Sequence, residues 1–283
     1  MASAAVMQIG MTNMKDHLEV CEAAARAGGQ VLREWLGKFG VSNKGPRDLV
    51  TEADFASQRE IQRIVLDAFP EHGFIGEESL QETVTGSSAA GKAGLRWLVD
   101  PLDGTTNYVH GFPAYCVSVA LAQGDEILVA TIYDPVHEEC FTARAGGGAF
   151  CNGQRITVGG TTDPAEALVA VGFPPHVSRD ALAVADFLAV LPHVHAIRRT
   201  GSTAINLAYL ACGRLDGFWV RRIANWDVAA GLLLVAEAGG AIGPFTGGRP
   251  GRVSLEDPVF IAACTPGLLG HLQSFMDACD RAG

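Results

Sequence analysis

The chain has 283 residues, 48% of them hydrophobic and 18% charged, which excludes a disordered protein. A chain of this size can bury roughly 73% of its extended surface, so a large core needs no staples. With 21 basic and 31 acidic residues its formal charge is −10, which argues against broad electrostatic binding to nucleic acid or an anionic membrane.

In chain order, residues 14–38 read as a helix, with Leu18, Cys21, Ala25, Leu32 and Trp35 near helical spacing. A second helix is expected over 54–68, closed by Phe69-Pro70. Residues 83–94, rich in Gly, Ser and Ala, read as a mobile loop. Leu95 to Val99 is a short apolar strand running into Asp100-Pro101, where proline should stop it. Residues 116–123 and 128–133 flank Gly124-Asp125-Glu126 as an antiparallel hairpin, and strands are expected at 141–145 and after Asn152-Gly153. In the second half, 168–171 and 258–263 read as strands, and 181–191, 203–212, 226–238 and 268–279 as helices. Gly239-Gly240 closes the third of these helices. The mixture predicts a layered α/β (α+β) sandwich of alternating helices and sheets. The apolar run Val228 to Ala236 stops at Glu237, too short to span a membrane.

Seven cysteines, Cys21, Cys116, Cys140, Cys151, Cys212, Cys264 and Cys279, are scattered, odd in number and form no CxxC pair. They read as small buried hydrophobes in a reducing, cytoplasmic compartment. No basic residue precedes Lys15, so no signal peptide is expected.

Chemistry concentrates in Asp100-Pro101-Leu102-Asp103-Gly104-Thr105-Thr106-Asn107. A turn there could aim Asp100 and Asp103 at one centre. Gly104 permits close backbone approach, and the residues after it can start a helix whose free N–H groups suit a phosphate. Carboxylates beside a phosphate require cations between them, and oxygen ligands point to Mg²⁺. A surface turn with capping aspartates would give the same short pattern. Glu77-Glu78 could equally be a solvated pair, Asp227 an ordinary N-cap, and Asp54 a charge at a helix start.

Taken together, these segments resemble the inositol monophosphatase family. The carriers are Gly76-Glu77-Glu78-Ser79, the run Asp100 to Gly111 (DPLDGTTNYVHG), and Trp226-Asp227-Val228-Ala229-Ala230-Gly231. Asp48 to Asp54, Arg199-Thr200-Gly201-Ser202 and Leu215 to Trp219 extend the likeness. The resemblance implies one inositol monophosphatase-like domain over 1–283, with a metal-binding half at about 1–160 and a second half at about 161–283. It implies a Mg²⁺-dependent, lithium-sensitive phosphomonoesterase acting on inositol 1-phosphate or a similar small sugar or polyol phosphate, and a homodimer with two or three Mg²⁺ ions per site. Fructose 1,6-bisphosphate or histidinol phosphate as main substrate, or a regulatory binding role on the same fold, are the alternatives.

Residue by residue, the resemblance gives Glu77, Asp100 and the Leu102 carbonyl to a first metal. Asp100, Asp103 and Asp227 go to a second, and Glu77 also to a weaker third. Thr105 would position the attacking water and Asp54 would hydrogen-bond Thr105, with no covalent phosphoenzyme. Gly104 and Thr105 would cradle phosphate, and Thr203 would line the substrate pocket. Lys44 matches a basic residue near the metals but could be a solvated lysine, and His110 reads as structural. Val220 stands where relatives favouring inositol phosphate carry a glutamate, so it is expected at the substrate wall, with Arg221 or Arg222 available to a second anionic group.

Overall fold

Two sheets, each between layers of helices, carry the chain's apolar segments. The computed structural model describes residues 2–45, 48–80, 94–174, 176–245 and 253–280. Helix α1 (Ala2–Trp35) begins earlier than the expected 14–38. The hairpin β1 (Val41–Gly45) and β2 (Asp48–Thr51) follows, then α2 (Glu52–Ala68). Next come β3 (Gly73–Gly76), β4 (Leu95–Asp103), the short helix α3 (Thr105–Val109), β5 (Cys116–Gln123) and β6 (Glu126–Asp134). Strands β7 (Glu139–Arg144), β8 (Gly148–Cys151) and β9 (Gln154–Ile156) complete a seven-stranded sheet in chain order, antiparallel apart from β3–β4. The expected loop at 83–94 lies outside the described residues except for Gly94.

The second half runs β10 (Leu168–Val171), α4 (Leu182–Val190), β11 (Ala196–Arg198), α5 (Thr203–Ala211), β12 (Gly217–Val220) and α6 (Asn225–Glu237). Strands β13 (Ala241–Gly243) and β14 (Phe260–Ala263) and helix α7 (Pro266–Asp280) complete it. These five strands form a mixed sheet in the order β11-β10-β12-β14-β13. Helices α1 and α2 cover one face of the larger sheet, α5 and α6 fill the space between the sheets, and α4 and α7 pack together at the smaller sheet.

Period-two alternation explains why one strand can serve two cores. On β4, Trp97 and Val99 join the core under α1 and α2, while Leu98 joins the core shared with α5, α6 and the second sheet. Both faces are buried, so the segment reads as a continuous apolar run. Pro101 does not end β4. Asp100 pairs with Ser118 and Asp103 with Cys116, so three steps on β4 face two on β5. That extra residue is a β-bulge, which tolerates a proline because it lies out of the ladder. Cys21, Cys116, Cys140, Cys151, Cys212 and Cys264 are free, and among the described residues no helix is long and apolar enough to cross a membrane.

Candidate metal centre and adjoining cavity

Glu77 follows β3, Asp100 lies on β4, and Asp227 sits in the first turn of α6. These three, far apart in sequence, bring one carboxylate oxygen each within 4.8 Å of one another. Gln58 on α2 accepts the Glu78 N–H at 2.9 Å, and a Cβ on Gly76 would overlap its side chain, so the turn bearing Glu77 is pinned by close packing. Ser57, its neighbour, donates to the Pro101 carbonyl at 3.0 Å and braces the bulge. Ser118, opposite Asp100 in the ladder, donates to the Trp226 carbonyl at 3.1 Å and ties the start of α6 to β5. The Ala224 N–H donates to Asp227 at 3.4 Å.

Burial, then the neighbouring Glu77 and Asp227 charges, holds the Asp100 carboxyl well above the ordinary range. Asp227 is raised for the same reasons, by burial first and then by Glu77 and Asp103. Converging oxygens within 4.8 Å of one another make these carboxylates repel whenever more than one is ionised. A divalent cation between them would offset that repulsion. An all-oxygen donor set of converging carboxylates fits Mg²⁺.

Asp103 stands apart from the trio. One of its oxygens accepts from Ser202 Oγ at 2.7 Å and from the Ala204 N–H at 2.5 Å, at the start of α5. Ser202 is the cap of that helix and also accepts the Ile205 N–H at 3.2 Å. Burial pushes the Asp103 carboxyl up to about 6, while these bonds pull the other way. The Leu102 N–H donates to Asp100 at 2.9 Å, and the Leu102 carbonyl accepts from the Thr105 hydroxyl at 3.1 Å. A carbonyl oxygen has a second lone pair for a further partner.

The Thr105 hydroxyl also lies 3.2 Å from Asp54. Asp54 is buried at the start of α2, where its other oxygen accepts from the Thr51 N–H at 2.9 Å and the Thr51 hydroxyl at 2.6 Å. The helix-start charge and the Thr105 partner are therefore one residue. Gly104 has a φ of +99°, and a Cβ there would stand 2.8 Å from the Ala114 carbonyl, so glycine is required. Lys44 lies on β1, but its side chain is outside those described. His110 is exposed at the C-terminal end of α3.

A cavity of about 440 Å³ opens beside this cluster and is lined by Gly104, Thr105 and Thr203, among others. Val220 does not line it. It is 1% exposed and packs behind the wall, where a Cβ on Gly172 would lie 3.0 Å from its Cγ2. The sequence expectation for Val220 is corrected accordingly. The expectation for Arg221 is corrected too: its guanidinium grips the buried Asp186 through two bonds, of 2.5 and 2.8 Å, and lies 4.2 Å from the Phe245 ring centroid. Arg222 is exposed and is not among the lining residues. Val220→Glu should therefore bury a charge and lower stability by on the order of 3 kcal/mol without sharpening substrate choice. Urea unfolding measures this; an unchanged midpoint would return residue 220 to the wall.

Ser57, Gln58 and Ser118 escape sequence reasoning because single polar residues carry no spacing signal, and Ser202, quoted only as part of the resemblance, receives no role from it. Asn107, expected only among the residues that start a helix, donates to the carbonyls of Ala114 at 2.6 Å and Thr200 at 2.8 Å, clamping α3 to the segment before α5.

The model of the inositol monophosphatase family matches residues 13–276. An inositol-1-monophosphatase of Rhizobium meliloti is 43% identical over 223 residues, covering 77% of this chain and 81% of the relative. A fructose-1,6-bisphosphatase/inositol-1-monophosphatase of Aquifex aeolicus is 39% identical over 234 residues, covering 81% and 86%. The crystal structure of the extragenic suppressor protein suhB from Bartonella henselae superposes with a TM-score of 0.83 at 34% identity, covering 92% of this chain and 98% of that one. With the family model spanning nearly the whole chain and relatives this similar, the protein belongs to the inositol monophosphatase family.

Proposed function

We propose that the protein is a Mg²⁺-dependent phosphomonoesterase that hydrolyses inositol 1-phosphate or a similar small sugar or polyol phosphate. The observation that carries this is the convergence of Glu77, Asp100 and Asp227 near the buried Asp54–Thr105 pair. Family membership and the relatives' names support phosphoric monoester hydrolysis as the reaction type. Glu77, Asp100 and Asp227 would hold cations, with Asp103 and the Leu102 carbonyl as further ligands. Bound Mg²⁺ would supply electrostatic stabilisation of the phosphoryl oxygens and a lowered pKa for the attacking water.

The chain's own residues do the rest. Gly104 and Thr105 receive the phosphate at the start of α3, where N–H groups lack intrahelical partners. The Thr105 hydroxyl accepts a hydrogen bond from the attacking water while donating its own to Asp54. The water oxygen bonds to phosphorus, the bond from phosphorus to the substrate oxygen breaks, and the alcohol leaves with a proton drawn from water. Thr203 and its neighbours contact the polyol. Asp103, held by Ser202 and the Ala204 N–H, keeps the start of α5 against the bulge.

The test is phosphate release from inositol 1-phosphate, glycerol 2-phosphate, fructose 1,6-bisphosphate and histidinol phosphate, with Mg²⁺ and with a chelator. Release that requires Mg²⁺ and is inhibited by LiCl supports the reading. No release from any of the four with Mg²⁺ present would sink it.

A further inference from the structure

We propose that Asn206 is a specificity-determining residue whose amide N–H₂ donates a hydrogen bond to a hydroxyl oxygen of the substrate's polyol. This rests on the phosphatase reading of the same cavity. Asn206 lines that cavity together with Gly104, Thr105 and Thr203. It is the fourth residue of α5, three after Thr203, so the two side chains share one face of the helix. It is 2% exposed, and its neighbours Ile205, Leu207 and Ala208 are buried and apolar. A buried amide in such surroundings is costly unless each of its polar atoms finds a partner.

The protein satisfies only half of this amide. Asn206 Oδ1 accepts from the Thr200 hydroxyl at 2.8 Å, which turns Nδ2 the other way. Nδ2 donates to no described group and is not walled in by protein, so it opens on the cavity that Asn206 lines. A second amide meets the same threonine. Asn107 spends its Nδ2 hydrogens on the carbonyls of Ala114 and Thr200, which leaves its Oδ1 as an acceptor in the cavity wall. Asn107 stands two residues after Thr105 on α3, so this uncharged wall is braced to the phosphate end of the cavity. A hydroxyl oxygen accepts from Nδ2 and its hydrogen is free for an acceptor; an alkyl group can do neither. A site that offers a donor disfavours an analogue lacking the matching oxygen, because the donor is then left unpaired.

The experiment measures kcat/KM at saturating Mg²⁺ for two esters of the same shape, 1-methoxypropan-2-yl phosphate and pentan-2-yl phosphate, with inositol 1-phosphate as the control. The two esters differ by an ether oxygen, which can only accept, in place of a methylene. Wild type should favour the ether ester. That ratio should fall roughly 2- to 12-fold, mostly through KM, in both Asn206→Leu and Asn206→Asp. Leucine removes the donor. Aspartate keeps the size of the side chain and the bond to Thr200 but turns an oxygen toward the ether, so it reads the donor even where leucine disturbs packing. A merely structural role would slow both esters alike and leave the ratio unchanged. An unchanged ratio in the aspartate variant, or wild type that hydrolyses inositol 1-phosphate without favouring the ether ester, overturns the role of Asn206 alone. Wild type that hydrolyses none of the three overturns the phosphatase reading itself.

Discussion

Asp227→Asn is expected to fold, to lose phosphate release by about 10²- to 10³-fold, and to melt higher than wild type when metal is chelated. The first loss follows from charge: an amide is a poor cation ligand, and removing one element of transition-state charge stabilisation costs about 3–4 kcal/mol. The gain in metal-free stability follows from the same geometry. Asp100 and Asp227 are raised by burial and by their neighbours' charges, so without cations the fold carries a repulsive cluster. A carboxyl whose folded pKa is raised binds protons more tightly folded than unfolded. Its penalty is absent below the unfolded pKa and grows as pH rises through the folded one. For Asp103 that window runs from the ordinary 3.8 to about 6, and for Asp100 and Asp227 it extends upward from the ordinary aspartate value. The asparagine variant neither carries that charge nor has to hold a proton to avoid it. On the proposed function Mg²⁺ binds the folded state alone, so it should raise the wild-type Tm, and the variant's smaller affinity should shrink that rise. Melting curves in chelator and in Mg²⁺, beside turnover, read all three effects. Turnover near wild type at moderate Mg²⁺, with an undiminished Tm rise, would remove Asp227 from the metal centre.

Helices α4, α5 and α6 were legible because each is largely apolar with clear stops; α5 and α6 end within one residue of expectation. Strand β4 was legible up to Val99 and then misread. Proline ends a regular ladder, but here the bulge removes the need for a ladder N–H at Pro101 and carries the strand on to Asp103. The hairpin β1–β2 went unseen because Val41 to Gly45 is mostly polar and lacks apolar alternation. In the site, carboxylates inside specific motifs announced themselves. Their supports did not: Ser118 matters because the ladder sets it opposite Asp100, and nothing in the sequence encodes that pairing. Val220 shows the reverse failure. A position equivalent in sequence to a substrate-facing residue can still be buried, here behind Gly172.

Thr105→Val should reduce kcat by about 10²- to 10⁴-fold, the range of a positioned proton acceptor, with a much smaller change in KM. Valine keeps the shape of threonine and fits the first turn of α3, so the loss isolates the hydroxyl. Its removal takes away the one hydroxyl hydrogen that Asp54 and the Leu102 carbonyl share, costing about 1 kcal/mol of stability. Thr105→Ser restores the hydroxyl and should recover activity to within about tenfold, which a purely packing role for Thr105 would not produce. Asp54→Asn tests the other half. Asparagine retains an oxygen for the Thr51 bonds that cap α2, but it turns an amide N–H₂ instead of a carboxylate oxygen toward Thr105. If Thr105 and Asp54 act as one relay, the double variant should be no slower than the slower single variant, because groups working as a unit lose their effect together. Losses that multiply would show two independent roles. A Thr105→Val enzyme within a few-fold of wild type would mean that the water is oriented by something other than this hydroxyl.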